Sequence, residues 1–430
     1  ILLSRRGELS RKNSIIWLDT RSKEMLQDLI SREIDKLVYK TSGLKLDTSA
    51  QLMHLLWIRE NEPDILRKTS RLLGCKDYIR YKLTDRMCTD YTEACATGLF
   101  DIKRANWSED ICDLIGIPID ILPEVKGSWE IAGYITRKAS KETGLPPGIP
   151  VAVGAGDVYS TALGAGLLEP RKACIIVGTA GIYLIASDKP IWDKNERFSV
   201  SFHAVPELWI LDTCQMTAGA ALEWFVSQFC SDEKAEAERR GKTVYEILDE
   251  KASKSPPGSA GVVFLPFLQG ERSPFNNPNA KGVLYGLNLQ TKKENVIRSI
   301  LEGVGFAVRD NLEVFKECEI EPKEVILSGG ASKSELWCQI IADIIGYNIS
   351  IPAVKECGLI GAIINAGVAA GVFKDQAEAA REMIKTEKKF TPLKDNIRLY
   401  TDYFRIYRNI YKNLMEIFNL SSTNCDKTIK

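Results

Sequence analysis

Short apolar runs closed by glycine alternate along this chain with longer stretches whose apolar residues recur every three or four positions. Val151-Ala152-Val153, bounded by Pro150 and Gly154, reads as a short buried strand. Ala173 to Val177 and Ile182 to Ala186 are β-branched and short enough to be two further strands. Gly178-Thr179-Ala180-Gly181 between them is then a tight hairpin turn. Glu324 to Ser328 predicts another strand, turned by Gly329-Gly330-Ala331. Ile1-Leu2-Leu3 reads as the tail of an early strand, and Gly261 to Leu265 as one that follows the loop Ser255 to Ser259.

The helical period is as plain. Val158 to Leu168 is a helix of small residues. Lys292 to Glu317 is a long helix with Ile297, Ile300, Leu301, Val304 and Val308 turned inward. A helix opened by Ser332 and Glu335, which have capping-box spacing, runs to about Ile345 on an apolar face of Leu336, Ile340, Ile341 and Ile344. Leu359 to Val372 predicts a tightly packed buried helix, and Thr243 to Lys254 an amphipathic charged one. Residues 374 to 415 predict a helical cap, with a frayed polar tail from Ser421. The alternation of strand and helix predicts an α/β protein, and the 430 residues predict two or more domains.

The glycine turns carry the candidate chemistry. Gly154-Ala155-Gly156-Asp157 places a lone carboxylate at the end of an apolar strand and the start of a helix. Glycine lets the chain turn there and lets a ligand approach the backbone. One reading of Asp157 is a helix N-cap; the other is a base aimed at a bound ligand. Thr179, in its glycine-flanked turn, exposes a hydroxyl and successive N–H groups, an arrangement that binds anions. The Gly329-Gly330 turn opens a helix whose N-terminus attracts phosphate or polar ligand groups. Trp17, Asp19 and Arg21 alternate, so on a strand all three point one way, toward a polyhydroxylated ligand or into an internal ion pair.

Composition narrows the field. Lys+Arg and Asp+Glu are equal at 57 each, so no overall field favours nucleic acid or an anionic membrane. No apolar run reaches the ~18 residues of a membrane span. The 11 cysteines are scattered without a Cys-x-x-Cys, which predicts reduced thiols in a cytoplasmic protein. The two histidines, His54 and His203, lack ligand-like neighbours, which argues against zinc and against a Ser-His-Asp hydrolase.

Taken together, the motifs resemble the FGGY carbohydrate kinases, the sugar-kinase branch of the actin-like ATPases, and within them the xylulokinase type. The segments that carry the resemblance span nearly the whole chain: Ile15 to Arg21, Trp57 to Pro63, Lys76 to Thr84, Thr89 to Ala94, the Asp157 and Thr179 motifs, Gly270-Glu271-Arg272-Ser273-Pro274, Leu301-Glu302-Gly303 and the Gly329-Gly330 turn. The resemblance implies a two-lobed actin-like (ribonuclease H-like) ATPase fold with a cleft between lobes. Residues 1–166 are the expected remainder of the N-terminal, sugar-side lobe, and 167–430 the nucleotide-side lobe.

The resemblance also implies roles. Asp157 is the expected general base, at the floor of the cleft with Thr179 across from it. Gly178, Thr179 and Gly219 are expected against the nucleotide phosphates, and Gly330 and Ser334 at the adenosine end. Glu223 stands where relatives carry an amide. Trp17, Asp19 and Arg21 are the expected sugar contacts, and Glu271 with Arg272 a buried pair that holds the lobe together. The implied cofactors are ATP and Mg2+, and the implied partner is a small sugar or polyol, with D-xylulose first and gluconate, glycerol or another polyol as alternatives. Neither nucleic acid nor a membrane is expected as a partner, and a homodimer is allowed for. The family's first phosphate loop, with its metal aspartate, has no counterpart here. The chain begins at Ile1 without an initiator Met, so a partial sequence is expected; a non-catalytic nucleotide or sugar binder is the alternative.

Overall fold

A computed structural model describes residues 1–428. Two compact units form, each from three stretches of chain. The first comprises Ile1–Pro170, Ala186–Leu211 and Glu356–Ile384; the second comprises Arg171–Ile185, Asp212–Lys355 and Lys385–Lys430. The expected change of lobe after residue 166 falls beside the first of these junctions. The returns to the first unit at Ala186 and Glu356 carry no composition shift that would have marked them.

The first unit is built on a helical core. Leu52, Met53, Leu55 and Leu56 of the Gln51–Asn61 helix pack with Val38, Ile111 and Ile115. Leu2–Leu3 pairs antiparallel with Arg71–Leu72, as its apolar start suggested. Cys88–Asp90 runs parallel to Glu124–Lys126, and Ile131–Tyr134 runs antiparallel to Pro150–Ala152. The Pro150–Ala152 strand stops one residue short of the expected end. Val153 has turned its N–H to the Glu130 carbonyl and its own carbonyl to Arg80.

The Asp157–Ala165 helix follows and ends on Gly166, left-handed at φ 95°, rather than at Leu168. Against it lies the Cys357–Ala369 helix. A Cβ at Gly164 would come within 1.8 Å of the Cys357 carbonyl oxygen, and one at Gly361 within 1.9 Å of the Ser160 carbonyl oxygen. The two backbones therefore touch directly, and only glycine fits. The expectation of a fully buried helix from Leu359 is corrected: Gly361, Ile364 and Asn365 are buried, whereas Leu359 and Ile363 on other faces are 64% and 50% exposed.

In the second unit, five strands lie in the order Gly181–Ser187, Lys172–Val177, Glu324–Gly329, Ile349–Pro352, Thr386–Phe390. Lys172–Val177 and Glu324–Gly329 are parallel, with Val177 opposite Gly329, so both strands end at one edge of the sheet. Thr386–Phe390 corrects the expectation of an all-helical cap. Its charged run Glu387-Lys388-Lys389 is an edge strand, where charge discourages further pairing. The Lys394–Thr428 helix continues through the stretch expected to fray, and Ile429 and Lys430 lie outside the described residues.

The long Lys293–Glu317 helix is buried along the predicted face and anchors this unit through Glu302. That carboxylate accepts from Arg298 Nε at 2.7 Å, Tyr400 OH at 2.7 Å, Ser259 Oγ at 2.7 Å and the Gly258 N–H at 3.0 Å. The paired motif residue Gly303 lets the Phe264 carbonyl approach to 2.4 Å of where a Cβ would stand. Among the described residues no helix is long and apolar enough to cross a membrane.

Candidate active site

Asp157 is the first residue of its helix, and Gly156 takes the N-cap position; the sequence expectation of an aspartate cap is corrected accordingly. The Asp157 side chain is exposed, and its Oδ1 accepts from the N–H of its own neighbour Val158 at 2.7 Å. The four residues leading into it, Val153 to Gly156, belong to no strand, and three of them are tied down. Arg80 Nη1 donates to the Val153 carbonyl at 2.5 Å, the Gly154 N–H donates to the Ser128 carbonyl at 2.8 Å, and the Gly156 N–H donates to Thr92 Oγ1 at 2.9 Å. Gly154 carries the turn at φ +73°, a left-handed value that other residues rarely adopt.

Beneath this turn lies a buried charged group. Lys76 Nζ is 2.8 Å from Asp90 and 2.7 Å from Asp77, and Asp77 also pairs with Arg80 at 2.9 Å. Asp77 and Asp90 are wholly buried. Glu93, beside them, is pushed up to about 7 by burial; Lys76 pulls it down, and the charges of Asp77, Asp90 and Asp157 add to the rise. None of these residues had been assigned a role from sequence, although Lys76 to Thr84 and Thr89 to Ala94 were conspicuous. Asp90 had a readable signal, since it stands before Tyr91-Thr92-Glu93 as a helix cap and accepts from the Thr92 N–H at 3.0 Å and the Glu93 N–H at 3.4 Å.

The second unit gathers the expected phosphate contacts at the shared strand edge. The Gly178–Thr179–Ala180 turn closes on itself through Gly178 N–H to the Ala180 carbonyl at 3.0 Å. The Gly178 carbonyl accepts from the Gly219 N–H at 2.8 Å, and the Thr179 carbonyl accepts from the Ala218 and Ala220 N–H groups at 3.0 and 3.2 Å. The turn is thus docked on the start of the Gly219–Phe229 helix. A Cβ at Gly219 would stand 2.5 Å from the Gly178 oxygen, and one at Gly329 would stand 2.6 Å from the Val177 oxygen. Thr179 and Gly330 are exposed at this edge. Among the described residues, the N–H groups of Thr179 and Ala180 and the Thr179 hydroxyl have no internal partner. Glu223 is exposed one turn into the helix.

Ser334, not Ser332, caps the following helix, which begins at Glu335. Ser334 Oγ accepts from the Trp337 N–H at 3.0 Å, whereas Ser332 Oγ donates back to the Gly329 carbonyl at 2.8 Å. The short 3-10 turn Gly330–Lys333 displaced the start by two residues. Nearby, burial pushes the Asp249 carboxyl up, and the Ser334 hydroxyl acts against that rise.

Two other expectations fare differently. Trp17, Asp19 and Arg21 lie in a looped segment and not on a strand, so the alternation argument fails. Asp19 accepts from both the N–H and Nε of Arg21 at 2.9 Å, the internal ion pair that was the other reading. The Arg21 guanidinium lies 4.7 Å from the Trp57 ring centroid, and Trp17 is 63% exposed. Glu271 is buried, and its Oε1 accepts from the N–H groups of Met216 and Arg272, each at 2.9 Å. Through Met216 it braces the segment that leads to Gly219. Burial is the first cause that pushes Glu271 up to about 8.

The arrangement fits a nucleotide. Gly219 and Gly329 let backbone segments meet at this edge, and the unpartnered N–H groups of the Thr179 turn suit phosphate oxygens. Among the described residues, no three His, Cys, Asp or Glu side chains converge as a metal site. Magnesium commonly binds through substrate phosphates and water with only one or two carboxylates, so an ion carried in with the nucleotide does not require such a cluster.

The chain is similar to known proteins over most of its length. Residues 10–164 match the N-terminal domain of the FGGY family of carbohydrate kinases, and residues 173–370 match its C-terminal domain. Autoinducer-2 kinase of Escherichia coli strain K12 is 31% identical over 393 residues, 90% of this chain and 73% of that protein. Xylulose kinase of Bacillus subtilis strain 168 is 29% identical over 406 residues, 94% of this chain and 79% of that protein. The crystal structure of ligand-bound xylulose kinase from Lactobacillus acidophilus superposes with a TM-score of 0.90 at 25% identity, covering 97% of this chain and 83% of that one.

Proposed function

The chain belongs to the FGGY family of carbohydrate kinases, and from that premise we propose that it transfers the terminal phosphoryl group of ATP to a hydroxyl of D-xylulose, with Asp157 as general base. The observation that carries the reading is the state of Asp157. It is an exposed carboxylate at a helix start, bonded only to its neighbour's N–H, on a backbone held at three successive points.

In the proposed step, an Asp157 carboxylate oxygen takes the proton of the sugar hydroxyl. The hydroxyl oxygen forms a bond to the γ-phosphorus as the bond to the bridging oxygen of ADP breaks, and ADP carries that electron pair away. Phosphoryl transfer asks a protein mainly to position reactants and to stabilise charge. The Thr179 turn supplies oriented N–H groups for the phosphates, and the start of the Gly219–Phe229 helix holds that turn in place. Magnesium, when bound with the nucleotide, neutralises phosphate charge. The reading places the enzyme in the cytoplasm, in keeping with ten described cysteines of which none is held in a disulfide.

Two observations bear on the sugar. The Gly270–Pro274 pattern favours the xylulokinase and gluconokinase types over glycerol, and the similar xylulose kinase structures favour D-xylulose. The 31% identity to autoinducer-2 kinase favours a second reading, in which that kinase's substrate is the acceptor. An ADP-coupled assay with D-xylulose, gluconate, glycerol and autoinducer-2 separates them by kcat/KM. Asp157→Ala is expected to cut sugar-dependent turnover by about 10²–10⁴-fold, the usual range for a general base, while leaving the fold intact. Near-normal turnover by that variant would remove Asp157 from the role.

A further inference from the structure

We propose that Thr92, held by the buried carboxylate of Asp90, is a positioning residue that aims Asp157. The inference rests on the reading of Asp157 as the base and goes beyond it, to what fixes that base in direction.

Asp157 has no side-chain partner among the described residues. Its direction is therefore set by its backbone, and the peptide group that precedes it begins at Gly156. The Gly156 N–H is tied to Thr92 Oγ1 at 2.9 Å. Thr92 is wholly buried, and its hydroxyl donates to Asp90 Oδ2 at 2.5 Å. A carboxylate only accepts, so the single hydroxyl proton of Thr92 is committed to Asp90 and a lone pair is left for Gly156. The polarity of the relay is thus fixed from below.

The same Asp90 oxygen accepts from Ser128 Oγ at 2.8 Å, and the Ser128 carbonyl in turn receives the Gly154 N–H at 2.8 Å. Two of the three anchors of the turn therefore converge on one oxygen. Lys76, 2.8 Å from the other Asp90 oxygen, holds the carboxylate from the opposite side. A purely structural N-cap would need only the Thr92 and Glu93 N–H groups. The additional bond from Thr92 outward to Gly156, 64 residues along the chain, ties the cap to the base.

The test uses Thr92→Val, which keeps the shape and removes the hydroxyl, and Thr92→Ser, which restores it. Displacing a reacting group by about 1 Å costs on the order of 10²-fold, so Thr92→Val is expected to lower kcat by about 10–100-fold. KM for ATP should stay within about twofold, since the nucleotide contacts are elsewhere. Thr92→Ser should recover most of kcat. Full kcat in a folded Thr92→Val, or a loss that Thr92→Ser does not repair, would overturn the proposal. Should Thr92→Val fail to fold, Thr92→Ala provides the second reading: it removes the same hydroxyl with a smaller side chain, and a kcat equal to wild type would count against the relay. Asp157→Ala, assayed in parallel, keeps the two claims apart. If it is inactive while Thr92→Val is normal, the base stands and the positioning falls; if it is active, the base itself falls.

Discussion

Gly164→Ala sets two opposing effects against each other. Within the Asp157–Ala165 helix, alanine in place of glycine is ordinarily favourable by about 0.5–1 kcal/mol, because the unfolded chain loses freedom. Against this, the new Cβ would stand 1.8 Å from the Cys357 carbonyl oxygen and 2.6 Å from the Gly361 nitrogen. Both are backbone atoms, so no rotamer change relieves the contact. Ordinary carbon contacts lie near 3.5 Å, and the helices would have to part by more than about 1 Å. Forced overpacking of this kind costs about 1–3 kcal/mol, more than the propensity gain. Net of the propensity gain this leaves up to about 2.5 kcal/mol, so at about 2–4 °C per kcal/mol for a folding unit of this size Tm should fall by up to roughly 10 °C. Gly358→Ala is the control. It lies in the facing helix, and its Cβ would meet only Thr161 Oγ1 at 3.2 Å, a side-chain atom that need give by only a few tenths of an ångström and can keep its bond to the Asp157 carbonyl. Thermal melts followed by circular dichroism should show that control unchanged or slightly stabilised. Because Asp157 begins the strained helix, kcat should fall with Gly164→Ala and not with Gly358→Ala. An unchanged or raised Tm for Gly164→Ala would refute the reasoning, since propensity would then have outweighed the contact.

The sequence made legible what is local. Strand, glycine turn and helix around Asp157 and Thr179 follow from apolar runs cut by glycine, and the structure departs from them by one to three residues at the ends. What it hid is of three kinds. Ends were shifted by bonds from distant residues, as when Arg80 drew the Val153 carbonyl out of its strand. Alternation was mistaken for a strand at Trp17, Asp19 and Arg21, where a side-chain ion pair two residues apart favours a turn. The supports of the site were invisible because they act across the chain: Thr92 on Gly156, and Glu271 on Met216, are bonds between residues 64 and 55 apart. Such bonds need both partners to be placed first, which no periodicity reveals. The same holds for the two returns of the chain to the first unit, at Ala186 and Glu356.

Gly219→Ala should raise KM for ATP by about 10-fold, equivalent to about 1.4 kcal/mol, because its Cβ would stand 2.5 Å from the Gly178 oxygen and break the bond that docks the Thr179 turn. Initial rates with ATP varied give the value, and an unchanged KM would detach this turn from nucleotide binding. Glu271→Gln tests the buried brace through pH. Burial raises the Glu271 carboxyl from 4.5 to about 8, so between those values the folded chain keeps a proton that the unfolded chain releases. The stability it contributes is whole below pH 4.5 and is lost as pH climbs toward 8, by up to a few kcal/mol. Glutamine is fixed in the neutral form and keeps an oxygen for the Met216 and Arg272 N–H groups. Its amide nitrogen would replace Oε2, which has no partner among the described residues, and that cost is the same at every pH. All other titrating groups are common to both proteins and cancel in the difference. Denaturant unfolding from pH 5 to 9 should therefore show wild type losing stability toward alkaline pH more steeply than Glu271→Gln, whatever their offset. Parallel curves would mean that Glu271 ionises normally in the fold, and that its two backbone bonds brace the segment as an ordinary carboxylate.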